Sequence, residues 1–137
     1  MKRKWKRKDS FFLIIPSIIV LDQITKLLVV KLGIQTVCNR GFAFGIAPTF
    51  LNGLISILVL GVVAYLAIKE TRGIFLLGYF LIIAGGLSNF FDRLARGCVL
   101  DFVDLKIWPV FNLADSAISI GVFVLVIFGI FKFKINA

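Results

Sequence analysis

The stretch FLNGLISILVLGVVAYLAIKETRGIFLLGYFLIIAGGLSNFF, residues 50–91, decides the fold. It holds two apolar runs, 50–68 and 74–91, on either side of a short turn, 69–73, that gathers Lys69, Glu70 and Arg72. Crossing the hydrocarbon core of a bilayer takes about 20 apolar helical residues, with about 17 to 25 tolerated. Each run therefore predicts a membrane span, and together they predict a tight helical hairpin. Working outward, residues 11–30 and 113–131 are runs of the same kind, separated from the hairpin by connectors 31–49 and 92–112. The expectation is an all-α membrane protein with four transmembrane helices and a small extracytoplasmic β-like segment, forming one integral-membrane unit over residues 1–137.

Composition agrees. With 60% apolar residues and a mean hydropathy of +1.03, the chain is too apolar for a soluble domain. Its net charge of +9 does not imply nucleic acid, because a nucleic-acid module spreads basic residues over a soluble fold. In a polytopic membrane protein Lys and Arg gather at the cytoplasmic ends of the spans. One side of the four predicted spans holds ten Lys and Arg with Asp9 and Glu70, net +8; the other holds six with five Asp, net +1. The first side reads as cytoplasmic, which puts both termini inside. The basic run Lys2, Arg3, Lys4, Lys6, Arg7 and Lys8 before an apolar stretch resembles a signal peptide, but no small-x-small cleavage site follows. The segment reads as an uncleaved anchor.

There is no His, which excludes Ser-His-Asp, Cys-His and His-ligated metal chemistry within the chain. Cys38 and Cys98 lie too far apart for paired metal ligands and read as two small semi-apolar residues, with a disulfide open only if their connectors face an oxidising compartment. No metal or cofactor is called for.

Ionisable residues at membrane depth are costly and are functional candidates by default. Here they cluster at the outer ends of three spans. Asp22 and Lys26 are four apart, on one helix face with Gln23 beside them, and an internal ion pair is enough to explain them. Asn89, Asp92 and Arg93 repeat the i, i+3, i+4 spacing, and Gly85 and Gly86 a turn earlier permit close helix approach. In the second connector an extended reading of residues 99–107 places Asp101 on an apolar face with Val99, Val103, Leu105 and Ile107, and leaves Asp104 solvated beside Lys106. Asn112 and Asp115 suit a helix start, as N-cap and first-turn acid. Asp101 and Asp115 both fall near the outer boundary. Two carboxylates in a semi-apolar pocket can share a proton, one activating water while the other protonates the departing group. Without His or metal, this is the hydrolytic machinery open to the chain.

Five blocks carry a resemblance: LDQITK at 21–26, NRGFAFG at 39–45, GLSNFFDR at 86–93, VLDF at 99–102 and FNLADS at 111–116. In this order, on a four-span hydropathy pattern, they resemble the motifs of bacterial lipoprotein signal peptidase, also called signal peptidase II. The resemblance implies an intramembrane aspartic endopeptidase of the bacterial inner membrane. Such an enzyme removes the signal peptide from diacylglyceryl-modified prolipoproteins just before the lipidated cysteine, at the extracytoplasmic face, as a monomer among membrane lipid and without nucleic acid. By position Asp101 and Asp115 look like its catalytic pair, and Asn89 and Asn112 like the residues that orient the pair. Asn39 and Arg93 resemble its substrate-contacting residues, Asp22 and Lys26 the supporting pair of the first helix, and Asp92 a further support. Two departures stand out: the stretch between Lys26 and Asn39 is short for the family, implying a trimmed outer sheet, and Phe42 stands where a small residue is usual. The competing reading is a small non-enzymatic transporter or assembly protein whose buried polar residues join helices.

Overall fold

The computed structural model describes residues 11–41 and 49–136. The N-terminal basic cluster, Asp9 and Phe42 lie outside the described residues, as do the side chains of Lys132 and Lys134. The described chain forms four long helices: α1, Ile14–Lys31; α2, Thr49–Lys69; α3, Gly73–Arg96; and α4, Leu113–Asn136. Two short strands, β1, Val37–Asn39, and β2, Val99–Asp101, pair antiparallel with Val37 opposite Asp101 and Asn39 opposite Val99.

Three helices, α2 to α4, contain segments long and apolar enough to cross a membrane. The first has 18 residues, about 27 Å at 1.5 Å per residue, and carries Asp22, Lys26 and Lys31. Its outward face of Val20, Leu21, Ile24, Leu27 and Leu28 is exposed, whereas Asp22 and Lys26 are wholly buried. The whole bundle follows this inside-out pattern. Asn52, Ser56, Ser88, Asn89, Asp92, Asp101 and Asn112 are buried, while Leu, Ile, Val and Phe cover its exterior. Water would not tolerate so much contiguous apolar surface; lipid does.

The third helix is the hub and packs on the other three. Glycines let it approach closely. A Cβ on Gly85 would lie 2.3 Å from the Ala114 carbonyl oxygen, one on Gly121 2.6 Å from that of Gly78, and one on Gly86 2.7 Å from Leu60. This contact sets the start of α4, and with it Asp115, directly against α3.

Helix ends follow local chemistry. Gly33 at φ +69 closes α1, with Ile34 N–H donating to Val29 O at 2.9 Å and Gly33 N–H to Val30 O at 3.1 Å, the paired bonds of a Schellman end. Between α2 and α3, Glu70 accepts from the backbone of Thr71 and Arg72 at 2.8 and 2.9 Å and from the Arg72 guanidinium at 2.6 Å. The Arg72 side-chain bond is the main reason its carboxyl falls to about 2. The third helix runs beyond the apolar segment expected to end at 91, because Asp92 is neutralised by Lys26 and Arg96. Gly97 at φ +74 then ends it.

Two expectations are corrected. The extended pattern does not continue to Ile107: after β2 only Val103 pairs, with Phe111, and the chain turns back. Lys106 N–H donates to Asp104 Oδ1 at 2.8 Å and Lys106 sits at φ +65, so Leu105 and Ile107 leave the buried face of Asp101 and are exposed. Asp104 is solvated as expected, and its bonds to Lys106 hold its carboxyl below the ordinary range. The cysteines are not separate filler residues, because Cys38 and Cys98 form a disulfide. The reason is the β1–β2 register, which sets Cys38 opposite Leu100 and brings it beside the end of α3, something spacing 60 apart in sequence does not reveal.

Candidate active site

The site is built in two layers at one end of the bundle. The lower layer is ionic. Lys26 Nζ lies 2.6 Å from Asp22 Oδ2 on its own helix and 2.7 Å from Asp92 Oδ2 on α3, and all three side chains are wholly buried. Each carboxylate also holds backbone. Asp22 Oδ1 accepts from Ala114 N–H at 3.0 Å, in the first turn of α4, and Asp92 Oδ2 accepts from Leu100 N–H at 3.2 Å, in β2. Ser88 donates to Asp22 at 2.6 Å, Gln23 donates to Ser88 at 3.1 Å and to Asp92 at 2.8 Å, and Arg96 pairs with Asp92 and donates to Gln23 at 3.2 Å. Buried charges persist when paired and hydrogen-bonded, and here the paired carboxylates also clamp the two backbone segments that carry Asp101 and Asp115.

The upper layer consists of those two carboxylates and three amides. Asp101 Oδ1 accepts from Asn112 Nδ2 at 2.7 Å and its Oδ2 from Asn39 Nδ2 at 3.1 Å. Asp115 Oδ1 accepts from Asn89 Nδ2 at 2.7 Å and its Oδ2 from Asn112 N–H at 3.2 Å. Asn112 thus touches both acids, one through its side chain and one through its main chain. Its Oδ1 in turn accepts from Asp115 N–H at 2.8 Å, the reciprocal pattern of a capping box. The helix-capping explanation of Asn112 and Asp115 is therefore correct, and the same bonds orient a carboxylate. Asn89 Oδ1 joins the layers, accepting from Asn112 Nδ2 at 3.1 Å and from Lys26 at 3.4 Å.

Every donor to the two acids is neutral, and each oxygen keeps acceptor capacity. Burial pushes the Asp101 carboxyl up to about 6, with the Asp115 charge adding to the rise and the Asn39 and Asn112 bonds opposing it. Beside Asp115 opens a cavity of about 410 Å³, lined by Leu105, Trp108, Phe111, Ser116, Ser119 and Ile120. Arg93 senses the charges of Asp115, Asp101 and Asp92, and its buried Nε has no hydrogen-bond partner among the described residues. An unpaired buried donor is costly, and this one lies beside the acids.

All eight candidate residues are accounted for. Asn39, Asn89, Asp101, Asn112 and Asp115 form one hydrogen-bonded network, Asp22 and Lys26 lie beneath it with Asp92, and Arg93 faces the acids without bonding them. Sequence reasoning missed Ser88, Arg96 and Asn52. Ser88 and Arg96 carry a legible signal, standing four residues before and after Asp92 on its helix face. Asn52, whose Nδ2 donates to Arg40 O at 3.1 Å next to Asn39, lies on a largely apolar helix where it reads as packing.

The family model for signal peptidase II matches residues 14–131. The chain belongs to that family. The lipoprotein signal peptidase of Thermodesulfovibrio yellowstonii is 41% identical over 86% of this chain and 90% of its own length, and that of Staphylococcus carnosus is 35% identical over 93% of each. A bacterial membrane enzyme solved by the in meso method at 2.3 Å resolution is 30% identical and superposes with a TM-score of 0.83, covering 93% of this chain and 91% of that one. A second, solved at 1.9 Å, gives a TM-score of 0.77 at 28% identity, over 87% and 91%. This member of the signal peptidase II family is a multi-pass membrane protein, and residues of the five sequence blocks, 21–26, 39–45, 86–93, 99–102 and 111–116, supply the hydrogen bonds that orient the two acids.

Proposed function

We propose that the protein is an intramembrane aspartic endopeptidase that removes the signal peptide from diacylglyceryl-modified prolipoproteins, cutting just before the lipidated cysteine. The observation that carries the reading is the double engagement of Asn112, which donates from its amide to Asp101 and from its main chain to Asp115 and so holds two carboxylates on one site. The relatives named lipoprotein signal peptidase supply the substrate class.

In this mechanism the two acids share one proton. The ionised member takes a proton from a water held between them as the water oxygen attacks the scissile carbonyl carbon. The protonated member gives its proton to the carbonyl oxygen. The tetrahedral intermediate then collapses as the acid that first served as base protonates the leaving nitrogen and the other acid takes back a proton from one of the intermediate's two hydroxyl groups, which leaves a carboxylic acid, a free amine and a pair that again shares one proton. Asn89, Asn112 and Asn39 keep both carboxylates oriented, while Arg93, whose Nε has no partner among the described residues, receives a backbone carbonyl of the substrate. The signal helix enters sideways from lipid, its diacylglyceryl chains staying against the apolar exterior, and a monomer suffices.

All four helices, α1 included, cross the bacterial inner membrane with both termini cytoplasmic and the site at the extracytoplasmic face. The charge asymmetry of +8 against +1 supports this orientation. So does the disulfide beside the site, since such bonds persist in oxidising compartments.

The buried Asp22–Lys26–Asp92 cluster would equally suit a non-enzymatic helix-assembly or transport role, and one experiment separates the two. Asp101→Asn and Asp115→Asn are each expected to abolish the precursor-to-mature gel shift of a lipoprotein while leaving the protein in the membrane. Normal cleavage by either variant refutes the assignment; a helix-assembly role leaves Asp101 dispensable.

A further inference from the structure

The two acids are joined by a hairpin whose tip is apolar and exposed. Val103 and Phe111 exchange backbone hydrogen bonds at 2.8 and 3.1 Å, with Phe102 N–H adding a third to Phe111 O at 3.1 Å. The bridge stands two residues after Asp101 and four before Asp115. Beyond it the chain exposes Leu105 by 55%, Ile107 by 92% and Trp108 by 67%.

We propose that this tip is a lipid anchor, with Leu105, Ile107 and Trp108 seated in the membrane interface on the site's side of the bilayer. Three observations carry it. The apolar tip is continuous with the lipid-facing surface: Leu105 and Trp108 line the outer wall of the cavity beside Asp115 together with Ser116, Ser119 and Ile120 of α4, and exposed Ile120, Phe123 and Val126 continue along that helix. The charges at the tip cancel, because Lys106 Nζ lies 2.6 Å from Asp104 Oδ2, so seating the tip brings no net charge toward lipid. The arrangement also matches the interface chemically, since Trp favours headgroup depth and a Lys stem reaches back toward water.

The consequence, which rests on the peptidase reading, is a depth gauge. The bridge couples the tip to both acids through a few residues of ordered backbone, so the level at which the tip seats sets the level at which Asp101 and Asp115 meet the substrate. Cleavage position relative to a lipid-bound cysteine requires such a reference plane.

The chain has two Trp, so Trp5→Phe leaves Trp108 as the sole reporter. In lipid nanodiscs its emission is expected to be blue-shifted, quenched by lipids brominated near the headgroup, weakly quenched by lipids brominated at the chain ends, and protected from aqueous iodide. Quenching by iodide without quenching by brominated lipid overturns the proposal. So does a Trp108 that is hydrated in empty nanodiscs and becomes shielded only when a lipoprotein precursor is added, because the tip is then a substrate clamp. In the same background Ile107→Asp is expected to lose the lipid quenching with an unchanged circular dichroism spectrum, while Ile107→Leu keeps it; retained quenching in Ile107→Asp also counts against the anchor. Ile107→Asp should lower kcat/KM more in nanodiscs than in micelles, an asymmetry a folding defect would not produce. Failure of the peptidase reading would show as no cleavage by wild type and leaves the quenching result intact.

Discussion

Replacing Lys26 with Met tests whether the ionic layer is structural support for the acids above it. Met has a similar reach and packs without charge, so the perturbation is the loss of an ammonium that lies 2.6 Å from Asp22 and 2.7 Å from Asp92 at zero exposure. Arg96, itself a third exposed, remains near Asp92, but Asp22 loses its cation outright. Breaking a buried ion pair by removing one partner costs about 3 to 5 kcal/mol, and at about 1.4 kcal/mol per tenfold the ratio of folded to unfolded protein should fall at least about a hundredfold. Denaturant titration in mixed micelles, followed by circular dichroism, reads the loss. The triple variant Asp22→Asn, Lys26→Met, Asp92→Asn removes every charge of the central pairings and keeps amide oxygens for Ala114 N–H and Leu100 N–H, so it should regain most of the stability. Because Asp22 and Asp92 hold those two amides, Lys26→Met should also lower kcat, and the triple variant should recover part of it. A loss below about 1 kcal/mol for Lys26→Met, or a triple variant no better than the single, would refute the reasoning.

Asp101 gives a pH dependence whose sign is fixed. Its folded carboxyl is raised from 3.8 to about 6, so the native state binds the proton more tightly. That stability is fully present below about 3.8 and is lost as pH rises to about 6, amounting to about 3 kcal/mol at 1.36 kcal/mol per unit; unfolding titrations across this range should show it in wild type and not in Asp101→Asn. Cleavage, if the acids must share a proton, should decline on the alkaline side of that titration. Reducing the Cys38–Cys98 disulfide, or replacing both residues with Ser, should lower stability by about 2 to 4 kcal/mol. It should also reduce activity, since β1 carries the Asn39 amide that holds Asp101; unfolding with and without reductant checks it. Gly85→Ala places a methyl 2.3 Å from the Ala114 carbonyl and should cost about 1 to 3 kcal/mol with a fall in kcat as Asp115 shifts. Gly53→Ala, which meets nothing within 4 Å, is the control.

The long apolar helices α2 to α4 were legible because apolar runs report their solvent directly, and residues 50–91 could be read without knowing any contact. Charged residues near the helix ends were legible as candidates for the same reason, since lipid makes each one conspicuous. What local pattern could not supply was the pairing across elements. Asp22 and Lys26 form the expected i, i+4 pair, yet the contact that gives the pair its use is Lys26 to Asp92, 66 positions along the chain. Likewise the extended reading of residues 99–107 followed side-chain alternation, which carries no information about the Asp104–Lys106 turn that ends it.

The same limit explains why capping and catalysis looked like rival accounts of Asn112 and Asp115. A helix start presents free N–H groups, and a carboxylate that accepts one of them is held in a single orientation. Asp115 accepts from Asn112 N–H at 3.2 Å and Asn112 accepts from Asp115 N–H at 2.8 Å, leaving Asn112 Nδ2 free to reach Asp101 and Asn89. The cap consumes the main-chain donors and one amide oxygen, and the amide nitrogen is what remains to span the site. A helix N-terminus therefore does two things with one residue: it starts the span that crosses the membrane, and it joins the acid on that span to the acid on the strand. Asn112→Asp separates the two roles, since Asp caps as well as Asn but offers no amide donor to Asp101. The helix should persist while the orientation of Asp101 is lost, so a variant that stays folded and loses cleavage is the expected result, and one that cleaves normally would show that the bridge to Asp101 is not needed.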